Sequence, residues 1–401
     1  MLTGARQVGK TTLARHCWPG LRYLSMDSFE DRDALRAMRS AAWGRSVGPA
    51  VLDEAQKEPG LFDKVKFAYD AGDIDFSVLL GSSRLQLLER VRESLAGRAF
   101  VYELWPLMAL ELMSPQDADP APPLVDALVM SPEPMATLLE AQPAMLLGAD
   151  RDPRMEALEH LERWGGMPEL LRLDDDERRE WLRSYQVTFL ERDLADLASL
   201  RDLLPFRSLQ RLAMLRSGQL LSYAELARDA AMSASTARRY LEYLAVSYQV
   251  VLLPPYSRNL TSTVVKSPKL YWTDIGLLRH GTGQWGPITG DMFETLVVTE
   301  LHKWFTTAAR DVPLYFYRTR SGLEVDLLVE TPGGLMGIEI KSRARAHRRD
   351  TRGLRALAEH LGASWRGGLV VSRGGPVEPI DSEHGIWAVP AHRLLTAGVD
   401  R

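Results

Sequence analysis

Short apolar runs separated by helix-length amphipathic stretches fill the first 110 residues. Pro49-Ala50-Val51-Leu52-Asp53-Glu54 and Phe76-Ser77-Val78-Leu79-Leu80 are apolar runs closed by acidic or small residues, as buried parallel strands are. Alternation of such runs with helical stretches predicts an α/β domain over residues 1–112. The pattern breaks over 114–153, where eight prolines predict a linker or irregular insert, and a charged helical stretch follows from Met155 to about Leu204. Residues 113–204 therefore read as a helical connector. Short helices and the strand-like QVVLLPPY and KLYWTD occupy 205–285. Over 286–401 the order is helix, strand, strand, helix, strand, in FETLVVTELHKWF, LEVDLLVE, LMGIEIK, LRALAEHLG and GGLVVS.

Composition narrows the class without naming it. Hydrophobic residues make up 45% and charged residues 25% of the 401, which excludes a disordered or collagen-like chain. The single cysteine, Cys17, makes no intrachain disulfide and no cysteine-based zinc site, so a cytoplasmic location is expected. No apolar run approaches the 18 residues a membrane span needs, and no membrane partner is expected. The net charge of −4 hides a contrast: residues 111–160 carry ten acidic and two basic side chains, while 341–355 carry seven basic and one acidic. A nucleic-acid partner is thus not excluded by the overall balance.

Gly4-Ala5-Arg6-Gln7-Val8-Gly9-Lys10-Thr11 fits the phosphate-loop pattern G-x-x-x-x-G-K-[ST]. Its glycines permit a tight loop whose amides surround phosphate oxygens, Lys10 reaches the β- and γ-phosphates, and Thr11 offers a hydroxyl to Mg²⁺. Gln7, Val8 and Thr12 complete the nucleotide-binding set, with ATP and Mg²⁺ as the expected ligands. Asp53 closes an apolar strand and suits the Mg²⁺-holding carboxylate of a P-loop enzyme, and Glu54 suits polarisation of the attacking water. Ser82, after the next strand, is placed to sense the γ-phosphate, although Ser82 and Ser83 also suit an ordinary turn. Arg98 is the candidate arginine finger and Arg84 the reserve; a surface arginine at a helix end is the other reading.

Ser222-Tyr223-Ala224-Glu225 forms a capping box opening a short helix to about Asp229. A turn at Ala231-Met232-Ser233 leads to a second helix, with Ser235 as its expected cap and Ala237, Tyr240, Leu241, Leu244 and Ala245 as one apolar stripe. Followed by Gln249–Leu253, this predicts a winged helix. Arg238 and Arg239 lie off the stripe, either to meet DNA phosphates or on a face that packs against a partner.

The runs Gly322–Glu330 and Gly337–Lys341 flank a Thr-Pro-Gly-Gly turn. If Thr331 pairs with Gly334, Asp326 faces Glu339 and Glu324 faces Lys341. Opposed carboxylates repel unless a cation lies between them, and a divalent metal is the obvious candidate; Lys341 would then orient water or stabilise a phosphorane. A solvated strand face with a Glu324–Lys341 pair is the other reading. Arg348 and Arg349, within the basic run, either follow a nucleic-acid backbone or line a solvated face.

The motifs GARQVGKTTLA, LDEAQK, LLGSS, SLAGR and WPL, then GGMPE, LERDL, KSPKLYWTDIGL, EVDLLVE and IEIKSR, resemble in their order the prokaryotic AAA-type ATPases that carry a C-terminal domain of unknown function. D…E-x-K is similar to restriction-endonuclease-like nucleases, and Glu294 resembles the acidic residue that completes their set. The resemblance implies an α/β multidomain chain: a P-loop AAA-type parallel sheet, a helical connector, a winged helix and a restriction-endonuclease-like α/β domain. It also implies an ATP-binding core, homo-oligomerisation through the ATPase domain and a DNA-associated or regulatory role. The alternatives are an ATP-gated, metal-dependent DNA nuclease and a non-catalytic nucleotide-sensing DNA-binding regulator. Only Met1-Leu2-Thr3 precede Gly4, fewer than the about five residues of an ordinary strand, so a natural start upstream is expected.

Overall fold

The computed structural model describes residues 1–82, 95–114, 120–198, 204–256 and 266–397. They divide into two compact units: Met1–Pro106, Val187–Arg201 and Glu242–Gln249 form one, and Leu107–Gln186, Asp202–Leu241 and Val250–Arg401 form the other.

The first unit is built on a five-stranded sheet of β1 (Leu2–Gly4), β2 (Arg22–Ser25), β3 (Ala50–Asp53), β4 (Val78–Gly81) and β5 (Tyr102–Leu104), in the order β2-β3-β4-β1-β5. All four pairings are parallel. Neighbouring residues of a strand point to opposite faces, and the core divides accordingly. Leu52 and Leu79 join Trp43, Leu61 and Phe62 in one apolar cluster; Val51 and Leu80 join Leu2 and Ala14 in another. Helices cover both faces, which explains why β3 reads as a continuous apolar run. The expected strand at 76–80 starts at Val78, with Phe76 exposed. Strands β2 and β5, unread in the sequence, carry partly exposed residues and lack such a run.

In the second unit, β6 (Gln219–Leu220), β7 (Val250–Leu253) and β8 (Lys269–Trp272) make a small antiparallel sheet, β6-β8-β7. A larger sheet takes β9 (Leu314–Arg318), β10 (Glu324–Thr331), β11 (Gly334–Lys341), β12 (Trp365–Ser372), β13 (Glu378–Asp381) and β14 (Ile386–Pro390), in the order β13-β14-β12-β11-β10-β9. The meander β9-β10-β11 is antiparallel; helix Arg352–Leu361 then returns the chain to β12, parallel to β11.

Ser222 caps helix Tyr223–Asp229 by accepting from the Glu225 amide at 3.3 Å, the serine half of the expected capping box. The second helix, Ala234–Val246, starts earlier than the Ser235 cap implied. Ser233 Oγ accepts from Thr236 N at 3.1 Å, so the cap lies two residues before Ser235, directly after the sharp turn with Ala231 at φ 51°. Ala237, Tyr240, Leu241 and Leu244 are buried; Arg238 and Arg239 are exposed.

The proline-rich stretch expected as a linker is instead packed structure over 120–147. Pro123 and Pro134 stand at the N-caps of helices Leu124–Met130 and Met135–Glu140, and Pro153 lies in the first turn of Asp152–Trp164, so these prolines start helices. Leu124, Val125, Leu128, Val129, Met135 and Leu139 are buried. Arg366 of β12 donates to the carbonyls of Ser131 and Glu133, and Asp126 accepts from Trp304 and Arg310.

Two of the sequence motifs prove to be one interlock. Asp274, fully buried, caps helix Ile275–Thr282 by accepting from Leu277 N (2.9 Å) and also accepts from Gly166 N (2.7 Å). A Cβ at Gly276 would lie 1.9 Å from the Trp164 carbonyl oxygen, so only glycine fits there. Burial pushes the Asp274 carboxyl up, against Lys303 and the amide bonds that favour its charge. Asp274→Ala strands the Gly166 amide without its acceptor and is expected to cost about 1–3 kcal/mol, read as a lower urea midpoint for the full-length chain.

Candidate functional site

At the carboxyl ends of β1, β3 and β4 the first unit gathers the phosphate-loop set, because the order β3-β4-β1 brings those three ends side by side. Ligands of open α/β sheets bind at such ends. The loop turns through Gln7 at φ 60° and Gly9 at φ 97°, the latter being the N-cap of helix Lys10–Cys17. A Cβ on Gly4 would lie 2.1 Å from the Leu104 carbonyl oxygen, so the first glycine serves the close approach of β5. Ala5 and Val8 are buried and pin the loop, while Gln7 and Thr12 face outward. Lys10 is buried, and its Nζ donates to the carbonyls of Gly4 (3.0 Å) and Ala5 (2.6 Å), a cation turned onto the loop itself.

Thr11 Oγ1 donates to Asp53 Oδ2 at 2.7 Å, tying the loop to the end of β3. Tyr23, on the adjacent β2, donates its hydroxyl to the same oxygen at 2.6 Å. Burial, the hydrogen bond to Asp53 and the Asp53 charge push the Tyr23 phenol up to about 12, so it remains a donor. Arg15 lies over the Tyr23 ring at 3.9 Å. Glu54 has a left-handed backbone (φ 52°, ψ 40°), a strained setting for a non-glycine residue and one found often at functional sites. Its Oε2 accepts from Gln56 Nε2 at 2.5 Å and Ser82 Oγ at 3.4 Å, which joins the ends of β3 and β4. Arg98 is engaged elsewhere: its Nε donates to Asp70 Oδ1 at 2.7 Å. Ser83 and Arg84 lie outside the described residues.

The second unit holds a cleft of about 590 Å³. It is lined by five carboxylates (Asp291, Glu294, Glu324, Asp326, Glu339) and three cations (Lys269, Arg318, Lys341). The hairpin register is the expected one from Thr331↔Gly334 to Leu327↔Ile338. Beyond it the simple facing pairs dissolve, because β10 is irregular between Val325 and Leu328 and Asp326 Oδ2 accepts from the Ile340 amide at 2.8 Å. Lys341 meets Glu339 of its own strand (2.6 Å) and stands 3.8 Å from Asp326 Oδ2. Glu324 pairs with Arg318 (3.1 Å) and with Lys269 (2.6 Å), in place of the expected Lys341.

Lys269 is the cleft cation that the sequence alone does not single out. On β8, only 3% exposed, its Nζ also lies 2.9 Å from Glu294 Oε1 and 3.8 Å from Asp326 Oδ1. Tyr271, two residues on and hence on the same strand face, donates to Glu294 Oε1 at 2.7 Å. The available signal was a lysine and a tyrosine at i and i+2 within an otherwise apolar strand. Burial opposes the Lys269 charge, but Glu294, Asp326 and Glu324 outweigh it and hold the ammonium above its usual range. Burial and the Asp326 charge raise Glu294 to about 7 and Glu339 to about 8. Glu339 Oε2 is buried without a hydrogen-bond partner among the described residues.

The basic run is partly neutralised. Arg343 pairs with Asp350, Arg345 with Glu378 (2.9 Å) and Arg355 with Asp381 (3.7 Å). Arg348, Arg349 and Arg352 are exposed and make no ion pair among the described residues. Their turn adjoins the cleft strand: a Cβ on Gly353 would lie 2.3 Å from the Glu324 carbonyl oxygen. No helix among the described residues is long and apolar enough to cross a membrane.

Three family models match the chain. Residues 1–113 match an AAA domain, 155–285 a domain of unknown function (DUF8612) and 289–394 another (DUF4143). A crystal structure of protein VC1899 from Vibrio cholerae aligns over 98% of this chain and 95% of its own at 13% identity, with a TM-score of 0.21, too low to speak for a shared fold. Uncharacterized proteins Rv2008c of Mycobacterium tuberculosis and Mb2031c of Mycobacterium bovis are each 30% identical over 99% of this chain and 81% of their own length. The chain belongs to the family of these mycobacterial proteins, with an AAA domain leading two domains of unknown function.

Proposed function

We propose that this protein is an AAA-type ATPase that binds and hydrolyses ATP at its phosphate loop, works as a homo-oligomer through that domain, and couples turnover to DNA or a partner protein. The observation that carries the reading is the 2.7 Å contact between Thr11 and Asp53, which joins the loop to the strand-end carboxylate. Thr11 and Asp53 would hold Mg²⁺, which when bound neutralises charge on the phosphates. Lys10 exchanges its two carbonyl partners for phosphate oxygens. Glu54, held by Gln56 and Ser82, orients the attacking water. Arg98 serves a neighbouring subunit's nucleotide after leaving Asp70.

A second reading concerns the cleft. Five carboxylates face three cations, Glu294 and Glu339 have raised proton affinity, and Glu339 Oε2 is buried without a hydrogen-bond partner among the described residues; a divalent cation would take the place of those protons. Glu294, Asp326 and Glu339 are its proposed ligands, and such a metal would polarise a phosphodiester and its attacking water. Lys341 stands by Asp326 and Glu339 to stabilise the transition-state charge. Arg348 and Arg349 supply phosphate contacts at the cleft's edge, with Arg238 and Arg239 on the exposed face of their helix. The winged-helix and restriction-endonuclease-like identities of 205–285 and 286–401 belong to this reading.

Titration calorimetry on Lys10→Ala is expected to show no ATP binding; unchanged binding overturns the first reading. Glu54→Gln should retain binding while turnover falls by about 10²-fold or more. Tyr23→Phe frees the Asp53 carboxylate from one of its two hydroxyl donors. With that competing donor gone, Asp53 holds Mg²⁺ more readily, and the Mg²⁺ concentration for half-maximal ATP binding should fall severalfold, about fivefold for a hydrogen bond of about 1 kcal/mol, with the chain still folded by circular dichroism. For the cleft, Arg348→Ala/Arg349→Ala should lower the salt slope of DNA binding by about 2. An unchanged slope removes those arginines from the interface.

A further inference from the structure

Lys269 has no part in either proposed activity, yet it is the most deeply buried cation of the cleft. Its ammonium reaches in from β8, a strand of the small sheet, to carboxylates that stand on helix Gly290–Thr307 and on β10. Withdrawing an ammonium from water costs several kcal/mol unless charges of opposite sign meet it, and here Glu294, Glu324 and Asp326 do. The Phe316 ring, 5.8 Å from Nζ, adds an aromatic face. This is a formed binding place for one positive charge, and the chain fills it with its own side chain.

The cost to any other cation follows from the oxygens. Glu294 Oε1 already receives both Lys269 and Tyr271, and Asp326 carries an ammonium 3.8 Å from each of its oxygens, Lys269 on one side and Lys341 on the other. Among the described residues, Glu339 Oε2 is buried without a hydrogen-bond partner. Lys341, about a third exposed, can turn its head to water; Lys269 at 3% cannot do so where it stands. A divalent ion that takes Glu294 and Asp326 together must therefore drive Lys269 out of its place, against the like-charge repulsion of a buried ammonium.

We propose that Lys269 is a tethered counter-cation that competes with a divalent metal for the cleft carboxylates, so that the resting cleft is closed to metal and opens only when β8 withdraws the lysine. The proposal rests on the cation reading of the cleft. It gives the buried lysine a regulatory role, in which whatever shifts β8 against helix Gly290–Thr307 sets the metal affinity of the site.

Mn²⁺ titration of the full-length chain by calorimetry, without nucleotide or DNA, tests it. Lys269→Met should bind one Mn²⁺ about tenfold or more tightly than the unaltered protein, and adding Asp326→Asn should abolish the gain. Removing the lysine alone strands three carboxylates and can unfold the chain, so a balanced pair is needed as well. Lys269→Met/Glu294→Gln should exceed Glu294→Gln alone in Mn²⁺ affinity by a similar factor, with both folded by circular dichroism. If the unaltered protein binds Mn²⁺ in an Asp326-dependent way and neither lysine variant binds it more tightly, the competition is overturned while the cation reading stands. If no variant binds Mn²⁺, both are overturned.

Discussion

A charge withdrawn from water has to be met by its opposite or by hydrogen bonds, and in this chain the partners come from distant segments. Lys269 is met by carboxylates 25, 55 and 57 positions further on, on a helix and a strand of different topology. Asp274 is met by an amide at Gly166 and by its own helix. Asp126 receives Trp304 and Arg310 across 178 and 184 residues. Because one-sided removal is costly, each pairing fixes where two segments stand. The cleft can gather side chains from β6, β8, helix Gly290–Thr307, β10 and β11 only because those segments are held by such ties.

The two candidate sites differ in how they handle charge. At the phosphate loop, the cation and the carboxylate are kept apart: Lys10 rests on carbonyl oxygens and Asp53 on hydroxyl and amide donors. Both can change partners without leaving a bare ion, as a loop that loads and releases an anion requires. In the cleft, lysines and carboxylates satisfy each other directly, and the excess of carboxylates is absorbed by raised proton affinity at Glu294 and Glu339. The first site is prepared for exchange, the second is occupied by its own side chains.

What could be read from the sequence was local. The phosphate loop, the β3 carboxylates and the Ser222 cap depend on residue types at fixed short spacing. So does the hairpin register near its turn, and the structure keeps it there. What could not be read depends on meetings between segments. Tyr23 lies on a strand too exposed to carry an apolar run, and it matters only because β2 pairs with β3. Lys269 matters only because the two sheets share the cleft. The departure of Asp326 from its facing position arises where β9 meets β10, beyond the reach of a two-strand argument. Prolines misled for a physical reason: the same fixed φ that breaks a helix interior suits a helix start.

The packed stretch at 120–147 bears on where this protein can be cut. It supplies the carbonyls that Arg366 needs, the carboxylate that Arg310 and Trp304 share, and the Ala144 carbonyl that accepts from Val377 N. A fragment starting near residue 286 would leave those donors facing the places their acceptors had held. The piece that keeps these ties of the C-terminal sheet intact begins ahead of Pro123, not at the helix that opens with Gly290.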